Sequence, residues 1–263
     1  MSEPVLYDVA DSVATVTLNR PDAMNSLDVA TKVALLEAVT RAADDGGVRC
    51  HVLTGTGRAF CVGQDLKEHI SILAGGSSDE LFRTVPEHFN PMVTAIATMP
   101  KPVVAAVNGV AAGAGASLAF ACDFRVLADT AGFNLAFAGI ALSCDTGSSW
   151  TLPRLVGRAK ALDLLFFPRT VTAAESLELG LATTVVPAGD LVAEVQALTK
   201  RLAAGPTAAF GAIRRSVGFS QGHDLPASLE FEAEMMALTG ASEDHRNAVD
   251  SFIAKRKPVF EGR

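Results

Sequence analysis

The chain has 263 residues, 49% hydrophobic and 19% charged, and its 29 acids against 22 Lys and Arg give a formal charge of −7. That length allows one large domain, or a core with a small appendage, burying roughly three quarters of its unfolded surface without staples. The apolar fraction excludes disorder, the acidic balance argues against nucleic-acid binding, and no run reaches the ~18 uncharged apolar residues of a membrane span.

The start, MSEPVLYDVADS, has neither a basic nor an apolar leader region, so no signal peptide is expected. Val5 to Val9 and Val13 to Leu18 are β-branched runs separated by Ala-Asp-Ser, which predicts a hairpin. Asn19-Arg20-Pro21-Asp22 breaks the pattern. A helix is expected from Asp28, a good N-cap, to Ala43, with Val29, Val33, Leu36, Val39 and Arg41 as its mixed stripe. Val48 to Thr54 reads as a strand, followed by a glycine-rich loop, Gly55 to Asp65. Ile70 to Ser78 reads as a mobile loop, and Asp79 to Thr98 as a helix.

Pro102 opens an apolar strand, Val103 to Val107, expected to be buried on both faces. Asn108-Gly109 leads into Gly113-Ala114-Gly115-Ala116-Ser117 and a helical Leu118 to Ala121, then a strand from Phe124 to Ala128. The alternation predicts an α/β fold with parallel pairing. From Leu191 the strand runs cease. Val192 to Ala204, Thr207 to Val217, Ala227 to Leu238 and Glu243 to Lys255 read as helices, the last started by Ser242. The division predicted is a core over 1–190 and a helical region over 191–263.

Cys50, Cys61, Cys122 and Cys144 form no C-x-x-C pair, and the five histidines show no metal-ligand spacing. Reduced thiols in a cytoplasmic protein without a metal site fit this usage. No G-x-S-x-G surrounds a serine, and the G-x-G-x-x-G that begins at Gly113 fails at Leu118, which argues against a serine hydrolase and a dinucleotide site. The two glycine-rich loops, Gly57 to Leu66 and Asn108 to Ser117, each follow a strand. Such loops let a ligand reach the backbone, where two N–H groups converging on one carbonyl oxygen stabilise an oxyanion. Close helix-on-strand packing accounts for the glycines equally well.

Four ordered motifs resemble the enoyl-CoA hydratase/isomerase (crotonase) superfamily. They are Asn19-Arg20-Pro21 with Asn25-Ser26-Leu27; Gly57-Arg58-Ala59-Phe60-Cys61 with Gly63, Asp65 and Leu66; Lys101 to Gly109 with its Gly/Ala loop; and Phe252 with Lys255-Arg256-Lys257-Pro258 and Phe260. The resemblance implies a spiral of ββα units, a C-terminal helical region that builds trimers or hexamers, and an acyl-CoA thioester substrate. CoA is then part of the substrate and no cofactor is needed. It also implies an oxyanion hole from the backbone N–H groups of Gln64 and Ala114, whose side chains would matter little. Ala59, Cys61, Val62, Gly63, Asp65, Leu66, Gly113, Ser117, Phe137, Lys257 and Phe260 fall at substrate-binding positions.

Hydratases of the family place one glutamate after the oxyanion turn and another further along, and here those positions hold Ser117 and Phe137. The stretch Ala141 to Arg158 resembles instead the ring-1,2-epoxyphenylacetyl-CoA isomerase branch, which includes enoyl-CoA isomerases. There an aspartate followed by x-Gly moves the proton, and Asp145 is the match, with Cys144 and Ser148 departing from the pattern. A desolvated carboxylate suits a proton shuttle, although Asp-Thr-Gly-Ser-Ser also fits a helix cap. The expected activity is isomerisation. A hydratase using Asp145 alone and a non-catalytic acyl-CoA binder are the alternatives. Asp65 and Asp123 read as structural, Glu68 and His69 as residues near the acyl pocket, Trp150 as core, and Lys255 to Lys257 as either CoA-phosphate ligands or a solvated end.

Overall fold

The computed structural model describes residues 3–75 and 81–263. The first two strands, β1 (Val5–Ala10) and β2 (Val13–Leu18), form the expected antiparallel hairpin. Its turn is made by Asp11 and Ser12, both at positive φ, which matches the twist of the strands. Helix α1 (Val29–Asp44) begins at Asp28, whose carboxylate accepts the Thr31 N–H at 2.8 Å. Its buried face is a correction. Thr31, Lys32, Leu35, Ala38, Val39 and Ala42 face inward, while Val29 and Val33 are 44% and 41% exposed. Two polar residues on the inner face hide the helical period from the sequence.

Three ββα units then follow, each sending a longer strand to one sheet and a short strand to another. They are β3 (Cys50–Gly55), β4 (Ala59–Cys61) and α2 (Leu66–Ala74), with α3 (Asn90–Thr98) behind; β5 (Val103–Val107), β6 (Val110–Ala112) and α4 (Ala114–Ala121); and β7 (Phe124–Ala128), β8 (Gly132–Asn134) and α5 (Ser148–Phe166). Strand β9 (Thr170–Thr172), α6 (Ala173–Glu178) and β10 (Thr184–Val186) complete the sheets. The larger sheet runs β1-β2-β3-β5-β7-β10 and is parallel beyond the first hairpin; the smaller runs β4-β6-β8-β9. Strand β5 lies at the centre and is buried at all five residues, as expected for a strand covered on both faces.

Residues 70–74 continue α2, in place of the loop expected from Ile70; the rest of that predicted loop and the start of the helix from Asp79 fall at 76–80, outside the described residues. Trp150 is 45% exposed, with the Arg154 guanidinium 4.4 Å from its ring, and is not core. Asp123 follows a helix and accepts the Val103 N–H, as its structural reading expects, and it also pairs with Arg214.

The tail forms α7 (Leu191–Ala203), α8 (Thr207–Ser220), α9 (Leu225–Gly240) and α10 (Glu243–Ile253), capped by Ser242. Helix α7 packs on β3, β5 and β7, burying Leu191, Val195, Thr199 and Ala203 at helical spacing. The hydrophobic core therefore continues past residue 190. Helices α8 to α10 leave Ile213, Val217, Leu229, Met236, Phe252 and Ile253 exposed.

Candidate active site

The two glycine-rich loops meet. Gly63 turns the chain after β4 at φ +83, and a Cβ there would lie 2.9 Å from the Ala112 carbonyl and 3.2 Å from the Ala114 nitrogen. Behind them, a Cβ on Gly115 would come within 2.1 Å of the Cys61 carbonyl, so α4 sits on β4 at a distance only glycine permits. Both readings of the glycines thus hold, at different residues.

Leu27 N–H donates to the Gly63 carbonyl at 2.8 Å and Asp65 N–H donates to the Leu27 carbonyl at 3.1 Å. In this parallel bridge the residue between, Gln64, turns its own N–H away from Leu27. Ala114 is the first residue of α4, so its N–H has no intrahelical acceptor. It follows Gly113, held at φ +51 and ψ −124 with its N–H on the Asn134 carbonyl. Gln64 and Ala114 line one cleft.

That cleft encloses about 160 Å³. Val62, Leu66, Leu81, Phe82, Val85, Phe89, Phe137, Ile140 and Leu142 make it apolar, and a π-helical turn at Val85–Phe89 shapes one side. His69 and Asp145 are its titratable side chains among the described residues. Asp145 does not cap α5: the N-cap is Gly147 without a side-chain bond, and Ser148 N–H goes to the carbonyl of Asp145. Its carboxylate accepts from Thr146 Oγ1 at 2.8 Å. Burial pushes the Asp145 carboxyl above its ordinary range, opposed by that bond and by its own backbone N–H.

The structure thus brings Val62, Gly63, Gln64, Leu66, Gly113, Ala114, Phe137 and Asp145 to one place. Four other expected ligand-binding residues stand behind it. Ala59 and Cys61 are fully buried, the Ala59 carbonyl taken by Asn25 and the Cys61 thiol pushed up to about 12 by burial. Asp65 is turned into the protein. Its Oδ1 accepts from Lys67 N–H and Glu68 N–H, and its Oδ2 from Ser26 Oγ and Arg20 Nη1. Ser117 is fully buried, bonded to the Gly113 carbonyl and to Ser148 Oγ, and ties α4 to α5.

Lys257 and Phe260 do not join the cleft of their own chain. The Phe260 carbonyl accepts from Arg49, which precedes β3, whereas the cleft follows the other end of that strand. Lys257 is exposed.

Sequence reasoning missed Lys32. It is 1% exposed, and its Nζ bonds Gln64 Oε1 at 3.1 Å and Glu68 Oε2 at 3.3 Å. Glu68 also accepts the Val29 N–H and the Gln64 Nε2–H, so it belongs to this cluster and does not line the cleft. The Gln64 side chain, expected to matter little, is one corner of the cluster. Only the exclusion of Val29 and Val33 from the inner face reveals Lys32, and the sequence does not show that.

Residues 8–263 match the model of the enoyl-CoA hydratase/isomerase family. The chain belongs to that family. It is 38% identical over 263 residues, the full length of both chains, to 1,2-epoxyphenylacetyl-CoA isomerase of Escherichia coli. It is also 31% identical to crotonyl-CoA hydratase of Syntrophomonas wolfei, over 98% of each. The structure of an enoyl-CoA hydratase from Bacillus anthracis superposes with a TM-score of 0.92 at 30% identity, over 99% of this chain and all of that one. Family membership fits the repeated ββα units and the two joined loops, and relatives of both reaction types are present.

Proposed function

We propose that this family member is an acyl-CoA isomerase, with a thioester carbonyl held by the Gln64 and Ala114 N–H groups and Asp145 as the proton shuttle. The observation that carries the reading is that Asp145 lines the same apolar cleft as Gln64 and Ala114. Ser117 is buried on α4 against Ser148 of α5 and Phe137 lines the cleft, and neither side chain is the acid that a glutamate-pair hydratase uses.

In the first step Oδ2 of Asp145 takes a proton from a carbon next to or conjugated with the thioester. The C–H bond breaks, its electron pair moves into the enolate, and the new oxyanion rests on the two N–H groups. In the second step the Oδ2–H proton is returned at another carbon, the double bond shifts, and the carboxylate is regenerated. The same enolate serves ring opening when the acyl group carries an epoxide. A cleft of 160 Å³ is small against the roughly 300 Å³ or more of most ligand pockets, so it suits the reacting end of an ester whose bulk lies outside.

Presenting a 3-enoyl-CoA and crotonyl-CoA separately tests the reading. Gain of conjugated-thioester absorbance from the first, without its loss from the second, is expected. The reverse would establish a hydratase, and tight ester binding without turnover of either a binding protein. Asp145→Asn cannot accept a proton, and isomerisation and α-proton exchange with D₂O should both fall by roughly 10² or more. Ester affinity should hardly change.

The exposed apolar residues of α8 to α10 support a homo-oligomer with closed symmetry, a trimer or a hexamer. Light scattering at micromolar concentration should give a mass well above the 27.3 kDa of one chain; a monomer would overturn this.

A further inference from the structure

Thr146 stands in a conformation that its side chain does not favour. Its φ is +50, a left-handed value in which a β-branched residue is a rare outlier, and it is 1% exposed. Gly147 beside it, at φ +77, tolerates such a backbone without penalty. A threonine kept in this place against local preference points to what its hydroxyl does. Oγ1 donates to Asp145 Oδ1 at 2.8 Å, and no other side-chain hydrogen bond to that carboxylate is present among the described residues.

We propose that Thr146 is the positioning residue of Asp145: its hydroxyl occupies Oδ1, which leaves Oδ2 as the oxygen presented to the cleft and keeps the carboxylate available as a base. The inference rests on the reading of Asp145 as the proton shuttle. Two physical consequences follow from the bond. An i to i+1 hydrogen bond fixes the rotation of the carboxylate about χ2, so a single oxygen faces the ligand in each turnover. The bond also stabilises the charged form, opposing the burial that disfavours it. From the other elements, His69 of α2 is the titratable group that lines the same cleft, and Cys144 adjoins Asp145 in the chain. The lining residues from 81–89 and 136–142 are uncharged.

Thr146→Val removes the hydroxyl at nearly constant volume, Thr146→Ser keeps it, and Thr146→Ala removes it without the β-branch should the valine variant fail to fold. The primary readout is the ¹³C NMR titration of the Asp145 carboxyl in the full chain, assigned by the signal that Asp145→Asn lacks. The midpoint should rise by about one pH unit in Thr146→Val or Thr146→Ala, the usual worth of one hydrogen bond to a charged group. It should return to within a few tenths in Thr146→Ser. The acid limb of kcat/KM should move in the same order.

An unmoved midpoint in the variants without the hydroxyl overturns the proposal, even if Asp145→Asn is inactive and the shuttle reading stands. A moved midpoint with full turnover in Asp145→Asn overturns the shuttle reading instead, and the positioning role with it.

Discussion

Two aspartates sit differently about one cleft, Asp65 behind the Gly63–Leu66 wall and Asp145 in the lining itself, and their surroundings push them in opposite directions. Asp65 is 6% exposed, and burial alone would raise its pKa. Bonds from Ser26, Glu68 N–H, Arg20 and Lys67 N–H together outweigh that burial and hold it below the ordinary 3.8. Asp145 has one side-chain donor, and there burial wins. The difference suits the two tasks that the proposed mechanism gives them. On the proposed mechanism the N–H groups that receive developing negative charge must already be in place, and an ionised Asp65 that accepts from Lys67 N–H and Glu68 N–H holds the strap that carries Gln64. A wall that exchanges a proton needs a carboxylate that is almost willing to keep one.

The largest expected effect comes from breaking the fixed wall at its donor. Ala114→Pro deletes one N–H at the first position of α4, where proline is tolerated by a helix. Turnover should fall by about 10² to 10³, with circular dichroism unchanged. Near-normal turnover in the folded variant would remove Ala114 from the oxyanion hole.

Next is Asp65→Asn, which keeps the shape but cannot accept from four donors at once. Each such bond to a charged acceptor is worth about 1.5–3 kcal/mol, and a net loss of about 2–4 kcal/mol is expected. In a chain of this size that lowers Tm by roughly 5–10 °C. A Tm within a degree of the parent would show that the strap from Gly63 to Glu68 is held by its bridge to Leu27 alone.

A smaller effect is expected at the cluster behind the strap. Burial lowers the Lys32 pKa, and Glu68 opposes this. Lys32→Met leaves Glu68 without its ammonium, but that carboxylate is 23% exposed and regains water. The cost should be about 1–2 kcal/mol in denaturant unfolding, below the 3–5 kcal/mol of a fully buried pair. Turnover should drop only a few-fold, because the Gln64 backbone remains bridged to Leu27. A loss as large as that in Ala114→Pro would make the Lys32–Glu68–Gln64 cluster the main support of the donor.

These residues also mark how far the sequence is legible. The alternation of the longer strands with helices, the two loops and the tail helices are written in β-branched runs, glycines and caps such as Asp28 and Ser242, because each is a local choice. The strands of three residues, β4, β6, β8, β9 and β10, are too short to show a period, and they exist only through their neighbours. The inner face of α1 is hidden because Lys32 counts as polar until its partners, 32 and 36 residues away, are known. Asp145 is legible as a candidate through resemblance. Its two readings differ in where the carboxylate points, to the start of α5 or, as found, to Thr146 Oγ1.

The smallest effect is the most discriminating, since it sets the two aspartates against each other under one substitution. Asp65 has a folded pKa below its unfolded one, so its stabilisation is complete above about 3.8 and is lost as the pH falls further. Asp145 has a folded pKa above its unfolded one, so its contribution is present at low pH and lost as the pH rises through the folded value. At neutral pH the Asp145 charge is therefore a burden on the fold. Asp145→Asn removes the charge while its amide oxygen still accepts from Thr146. Its Tm at pH 7 should equal or exceed the parent's, with the gap closing as the pH is lowered. The Asp65→Asn deficit should likewise shrink below pH 4, from the opposite side. Thermal unfolding of the three proteins from pH 3 to 8 reads both slopes. If Asp145→Asn melted several degrees below the parent at pH 7, the charged carboxylate would be stabilising its turn, and the contrast between the walls would be lost.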